Sequence, residues 1–201
     1  EADCRTAIER CRIFGCDSII FAYSLPSIFG ILPDEEGHYT PEQIDEWADH
    51  ADCVMDTLEK AAAGTDIKVL YHNHDTEFLT GSDGQYFLDK LRHKDREMDV
   101  YWVSKGLDGK LSSALSYVRQ HPSEVKLLHM KDGLNGSMVT GEMCGWGKGT
   151  FPLQEIVDCA KDMKLSWVVI ENDAPNNFGT SGLEDAIESA AYAFNHINFT
   201  I

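Results

Sequence analysis

The stretch IKVLYHNHDTEF, residues 67–78, changes character halfway along. Ile67 to Leu70 is an apolar run of the kind that forms a buried strand. From Tyr71 onward the chain then places His72, His74, Asp75 and Glu77 within a few positions. A buried strand that surfaces into metal-capable side chains points to an α/β protein whose chemistry collects at the C-terminal ends of its strands.

The flanking sequence alternates in the same way. Upstream, Thr40-Pro41-Glu42-Gln43 has an N-cap residue, a proline at the first helical position and a glutamine at the third. Ile44, Trp47, Ala51, Met55 and Leu58 then keep one face of a long helix apolar as far as Gly64. Ahead of it, Ala7, Ile8, Cys11 and Phe14 predict a helix closed by Gly15, and SIIFAY (18–23) a short buried strand. The loop at 24–39, with two prolines and two glycines, is long enough to cover an active site.

Downstream, a short helix at 84–91 is followed by EMDVYWV (97–103), read as a strand, and a helix at 111–120. EVKLLHM (124–130) is a strand, and the glycine-rich loop TGEMCGWGKGTF (140–151) leads to a helix at 153–164. SWVVIEN (166–172) is the last strand and 181–196 the last helix. Short strands, apolar on both faces and separated by helices, imply a parallel sheet covered on both sides.

A doubly wound sheet and a (β/α)8 barrel both fit that pattern. The dinucleotide spacing GxGxxG is absent, and GWGKG (145–149) lacks the spacing of a phosphate-cradling loop. The polar residues favour the barrel, because Tyr23, His72 and His74, Asp99, His129 and Glu171 fall at successive strand ends. The expectation is a single α/β domain over 1–201 of the (β/α)8 TIM-barrel type. Its parallel strands carry outer helices, and the barrel is N-terminally incomplete, with about five of the eight βα units.

Composition narrows the function. With 34 acidic against 17 basic residues the net charge is −17, which offers no basic stripe for nucleic acid. The apolar runs are far shorter than the roughly 20 residues that span a bilayer. Six cysteines, with no CxxC, read as reduced and mostly core thiols, Cys53 and Cys159 on apolar helix faces. A cytoplasmic protein that handles a small molecule or a cation is expected, with homo-oligomerisation open.

Asp99, His129 and Glu171 each interrupt or end an apolar strand. An isolated buried acid costs several kcal/mol unless it is paired or coordinated. One divalent cation, Mn, Co, Zn or Mg, would satisfy all three. The competing reading is that Asp99 and Glu171 cap following helices while His129 bonds within the core.

Taken in order, YHNHDTEF, EMDVYWV, LLHMKD, the glycine-rich loop and WVVIEND resemble the xylose isomerase-like TIM-barrel superfamily. The nearer likeness is to its sugar phosphate isomerase/epimerase branch, which includes inosose dehydratase-like proteins, and it runs from about Ala7 to the C-terminus. The resemblance implies a metal held by Glu, Asp, His and Glu. Three of these carry over to Asp99, His129 and Glu171. The first Glu falls on His72, where this sequence departs from the pattern, so His72 is a fourth ligand, a catalytic group, or neither, leaving three protein ligands.

The resemblance further implies a metal-dependent isomerase, epimerase or dehydratase (a lyase) acting on a sugar or cyclitol by proton abstraction beside a carbonyl. Glu171 would be the base and His74 or Glu77 its counterpart. Lys131 and Tyr23 would bind substrate. Trp102 would wall the sugar or simply pack in the core, and histidine at position 72 shifts weight toward elimination. Three further βα units would precede Glu1. Lys131 and Asp132 could instead form a solvated surface pair, and His50, His93, His121 and His196 read as surface residues. Glu142 and Trp146 could close over substrate. Two alternatives stand beside this reading: a truncated barrel serving as a binding subunit, and an endonuclease IV-like hydrolase, which the charge disfavours.

Overall fold

The computed structural model describes residues 2–22, 25–134, 143–165, 167–175 and 179–199; Tyr23 and Glu142 lie outside them. Helix α1 (Ala2–Phe14) is followed by β1 (Ser18–Ala22), α2 (Pro41–Ala62), β2 (Lys68–His72) and α3 (Phe87–Lys90). Then come β3 (Arg96–Asp99), α4 (Val100–Leu107), α5 (Leu111–Gln120) and β4 (Val125–Met130). After β5 (Asp132–Gly133) and β6 (Met143–Cys144) follow α6 (Leu153–Asp162), β7 (Val168–Ile170) and α7 (Gly182–His196). The main sheet has five strands in the order β1-β2-β3-β4-β7, with helices in the connections. Strand β1 pairs with β2, and β4 with β7, in parallel.

Contacts gather the chain into two compact units, Glu1–Arg96 and Glu97–Ile201. In the first, α2 begins where the sequence predicts. Thr40 accepts the N–H of Gln43 while the Gln43 side chain accepts the N–H of Thr40, which satisfies two end amides reciprocally. The helix buries Ile44, Trp47, Ala51 and Met55, and Trp47 stacks on Phe87 at 3.8 Å between ring centroids. Gly15 ends α1 at φ +70°, a left-handed conformation that favours glycine. Ile8 is buried, but Phe14 is 79% exposed, so the helix face predicted at the N-terminus is narrower than its spacing suggests.

In the second unit, α5 and α6 bury Ala114, Val118, Ile156 and Val157. Helix α7 carries a capping box between Ser181 and Glu184 and buries Asp185, Ser189 and Ala193. It leaves Leu183, Ile187 and Phe194 exposed. At the end of the strand order, β7 is only half-buried and Trp167 beside it is exposed, so burial on both faces fails there.

Two further expectations are corrected, and one pairing is new. EMDVYWV is strand only to Asp99, because the Asp99 carboxylate accepts the N–H groups of Tyr101 and Trp102 and starts α4 at once. The β-branched and aromatic residues after it are helical against their propensity. A short antiparallel pair, β5 with β6, was not foreseen. Of the cysteines, Cys144 and Cys159 are buried, whereas Cys53 and Cys16 are exposed; all six are free. No helix among the described residues is long and apolar enough to cross a membrane.

Candidate metal centre

At the end of β2 in the first unit, His72 is 5% exposed and its ring meets that of His74 edge-on at 5.1 Å. Glu77 lies in a single turn of 3-10 helix, Thr76–Phe78, and is fully buried. Its Oε1 accepts the Tyr71 hydroxyl at 2.9 Å, and its Oε2 accepts the His74 N–H and the Thr76 hydroxyl, each at 3.0 Å. Burial raises the Glu77 pKa against those three donors. The carboxylate therefore ties the turn together and sets the backbone of His74.

In the second unit, β3 presents Glu97 and Asp99, two residues apart and hence on one face. Strand β4 ends with His129, Met130 and then Lys131, and Glu171 follows β7. Glu97 is 2% exposed, Asp99 0% and Lys131 1%. His129 Nδ1 lies 3.0 Å from Glu97 Oε1, and its Nε2 lies 2.8 Å from Glu171 Oε2. Asp99 and His129 offer ligand atoms within 4.8 Å of each other. The Glu171 N–H donates to the Met130 carbonyl at 3.2 Å, which anchors its backbone beside β4.

Lys131 joins the acids. Its Nζ is 2.9 Å from Asp99 Oδ2 and 3.3 Å from Asp173 Oδ1, and it also donates to Glu171 Oε2. Burial disfavours the charged Lys131, but the charge of Asp99 and hydrogen bonds to Glu171 and Asp99 outweigh it and raise the pKa. Burial would likewise lower His129, yet its bonds to Glu171 and Glu97 and the charge of Asp99 push it up to about 9. Hydrogen bonds from His129 and Lys131, acting against desolvation, hold Glu171 well below the usual carboxylate range.

The neighbouring glycine-rich segment is clamped. Asp132, 1% exposed, accepts the N–H groups of Gly133, Phe151, Gly147 and Gly149 at 2.8–3.2 Å. Trp146 is buried, its indole N–H donating to the Met130 carbonyl at 3.3 Å and its backbone N–H to Ser189 Oγ at 3.0 Å. A Cβ on Gly147 would stand 2.1 Å from the Tyr192 ring, at a backbone φ of +83°. Asp185 receives Asn172 Nδ2 at 3.1 Å and Lys148 Nζ at 3.3 Å, linking α7 to the residue after Glu171.

The structure thus gathers Asp99, His129, Lys131 and Glu171, while His72, His74 and Glu77 sit together at the end of β2. Trp102 is half-buried on α4, with Lys105 Nζ over its ring at 4.7 Å. Tyr23 lies outside the described residues. Lys131 and Asp132 are not a solvated pair, and Trp146 is core rather than a free loop residue. His93 is half-buried, its ring bridging the carboxylates of Asp56 and Glu59, each at 2.8 Å. Sequence reading missed Glu97 and Asp132, whose signal was a charged residue at alternate positions of an otherwise apolar strand or directly after one.

The donor set suits a divalent cation. An imidazole whose far nitrogen is held by a buried carboxylate is preset in tautomer and direction, and Asp99 and Glu171 add carboxylate oxygens. The capping role foreseen for Asp99 as the competing reading is also real, but it uses Oδ1, leaving Oδ2 directed at Lys131.

No protein-family model and no curated protein matches the chain. Solved structures do match. A sugar phosphate isomerase/epimerase from Parabacteroides distasonis shares 19% identity over 94% of this chain and 61% of its own, with a TM-score of 0.61. The IolI protein with a bound zinc atom shares 13% over 96% and 66%, with a TM-score of 0.61. A xylose isomerase domain protein from Planctomyces limnophilus shares 11% over 96% and 62%, with a TM-score of 0.60. The chain spans 61–66% of the length of these structures. The likeness shows the fold: a five-stranded part of a (β/α) TIM barrel with its surrounding helices.

Proposed function

We propose that this chain carries the metal-binding part of a divalent-metal-dependent isomerase, epimerase or dehydratase acting on a sugar or keto-polyol through an enediolate. The observation that carries this reading is the strand-end group of Asp99, His129 and Glu171, with Glu97 fixing the imidazole from behind. A protein of the same fold named as a sugar phosphate isomerase/epimerase, and an IolI protein of that fold with a bound zinc atom, support it.

Asp99, His129 and Glu171 would hold the metal, and by the family resemblance His72 stands at the sequence position of the fourth ligand, where a glutamate is expected. Bound there, a divalent cation supplies Lewis-acid stabilisation of the negative charge that develops on the substrate oxygens. Glu171 removes the proton beside the carbonyl. In the metal-free chain His129 and Lys131 both reach its Oε2. His74 returns a proton, or assists departure of a hydroxyl, on the other face of the substrate. Glu77 holds the backbone of His74 instead of exchanging protons itself. Trp102 walls the apolar face of the sugar, and Lys131 and Tyr23 bind substrate oxygens.

Incubation of chelator-stripped and metal-reloaded protein with candidate keto-sugars in D₂O tests the reading. Metal-dependent deuteration beside the carbonyl is the expected result. Absence of exchange from every substrate, or uptake below about a tenth of an equivalent of metal, would overturn it.

A further inference from the structure

Lys131 is a buried ammonium surrounded by three carboxylates, two of which are assigned above as metal ligands. Its contacts are to Asp99 Oδ2 at 2.9 Å, to Glu171 Oε2 and to Asp173 Oδ1 at 3.3 Å. The Asp99 oxygen it meets is not the one that caps α4, since Tyr101 and Trp102 donate to Oδ1. The ammonium therefore engages the Asp99 oxygen that capping leaves for a ligand, and also the Glu171 oxygen that faces His129.

We propose that Lys131 is a built-in counter-cation that competes with the metal for Asp99 and Glu171, and that Asp173 is the carboxylate onto which it moves when the metal enters. The inference rests on the metal site of the preceding reading and deepens it. A divalent ion and an ammonium cannot share two carboxylate oxygens at full strength, because their mutual repulsion in a desolvated site is large. Lys131 keeps the acids compensated in the metal-free chain, where unpaired buried charge would be costly. It also weakens the metal's hold by the free energy needed to displace it. Asp173, exposed by 38% on its side chain, is placed to receive the released ammonium. Metal entry thus frees Lys131 from the ligand oxygens and makes it available to a substrate oxygen.

Titration calorimetry of Mn²⁺ and of Zn²⁺ into the chelator-stripped chain, at fixed pH and ionic strength, tests this. Lys131→Met should tighten binding about tenfold and lower the melting temperature of the metal-free protein. Asp173→Asn removes the receiving carboxylate and should weaken binding about threefold, and that loss should vanish in the Lys131→Met background. Unchanged or weaker binding by Lys131→Met overturns the inference while leaving the metal site standing. So does an Asp173→Asn loss that persists without Lys131, since simple charge attraction would then account for it. Should Lys131→Met not fold, unchanged or tighter binding by Asp173→Asn, whose side chain is partly exposed, overturns the inference alone. If wild-type protein binds neither metal, both the inference and the preceding reading fall.

Discussion

Glu77 and Asp99 are both carboxylates with 0% exposure, and they are kept buried in opposite ways. Glu77 is surrounded by neutral donors from nearby in the chain: the Tyr71 hydroxyl on β2, a threonine hydroxyl and a backbone amide. Asp99 gives one oxygen to two backbone amides and the other to the Lys131 ammonium. Fixed dipoles lock a carboxylate into the fold and leave nothing to exchange. An ammonium leaves it compensated yet open to another cation. The first arrangement is architecture and the second is a site, although in sequence both are an acid close to the end of an apolar run.

The comparison breaks most visibly in rate. Glu171→Gln should lower proton exchange about 10³-fold, read by the D₂O assay, with a smaller accompanying drop in melting temperature from the weakened pairing with His129 and Lys131, read by thermal unfolding. An effect on stability alone would move Glu171 to the architectural class. Glu77→Ala should behave in reverse, costing about 3 kcal/mol in urea unfolding because three donors lose their acceptor and a cavity opens. Metal uptake by the folded fraction should persist.

Glu97→Gln probes the support behind the imidazole. It should weaken metal binding roughly 10–100-fold in calorimetric titration with little change in stability. The smallest effect concerns pH. Burial works against a charged His129, but its bonds to Glu171 and Glu97 push its pKa up to about 9 from an ordinary 6.5. A group raised in this way stabilises the folded chain fully below about pH 6.5, and the contribution is lost as pH rises through about 9. Urea midpoints should fall across that window by an amount on the order of 1–2 kcal/mol, and His129→Gln should flatten the slope.

Much of this was legible in residues. The N-cap at Thr40, the apolar stripe of α2 and the strands before His72 and His129 follow from periodicity and capping, which are local. Asp99, His129, Lys131 and Glu171 were visible as charge against an apolar background, and β4 and β7 bring three of them together. What escaped reading is what depends on partners distant in the chain. VYWV reads as strand by propensity, yet the Asp99 carboxylate turns it into helix. Nothing near Asp132 announces amides fifteen and more residues away.

That last carboxylate has a consequence for how the molecule breathes. Asp132 holds the amides of Gly133, Gly147, Gly149 and Phe151 through a single group, in a segment whose glycine content suggests rapid exchange with solvent deuterium. These four amides should instead be protected and should exchange together, with one opening free energy, because releasing the carboxylate releases all of them. A stretch that looks like a loose loop would then mark one of the cooperative units of the chain.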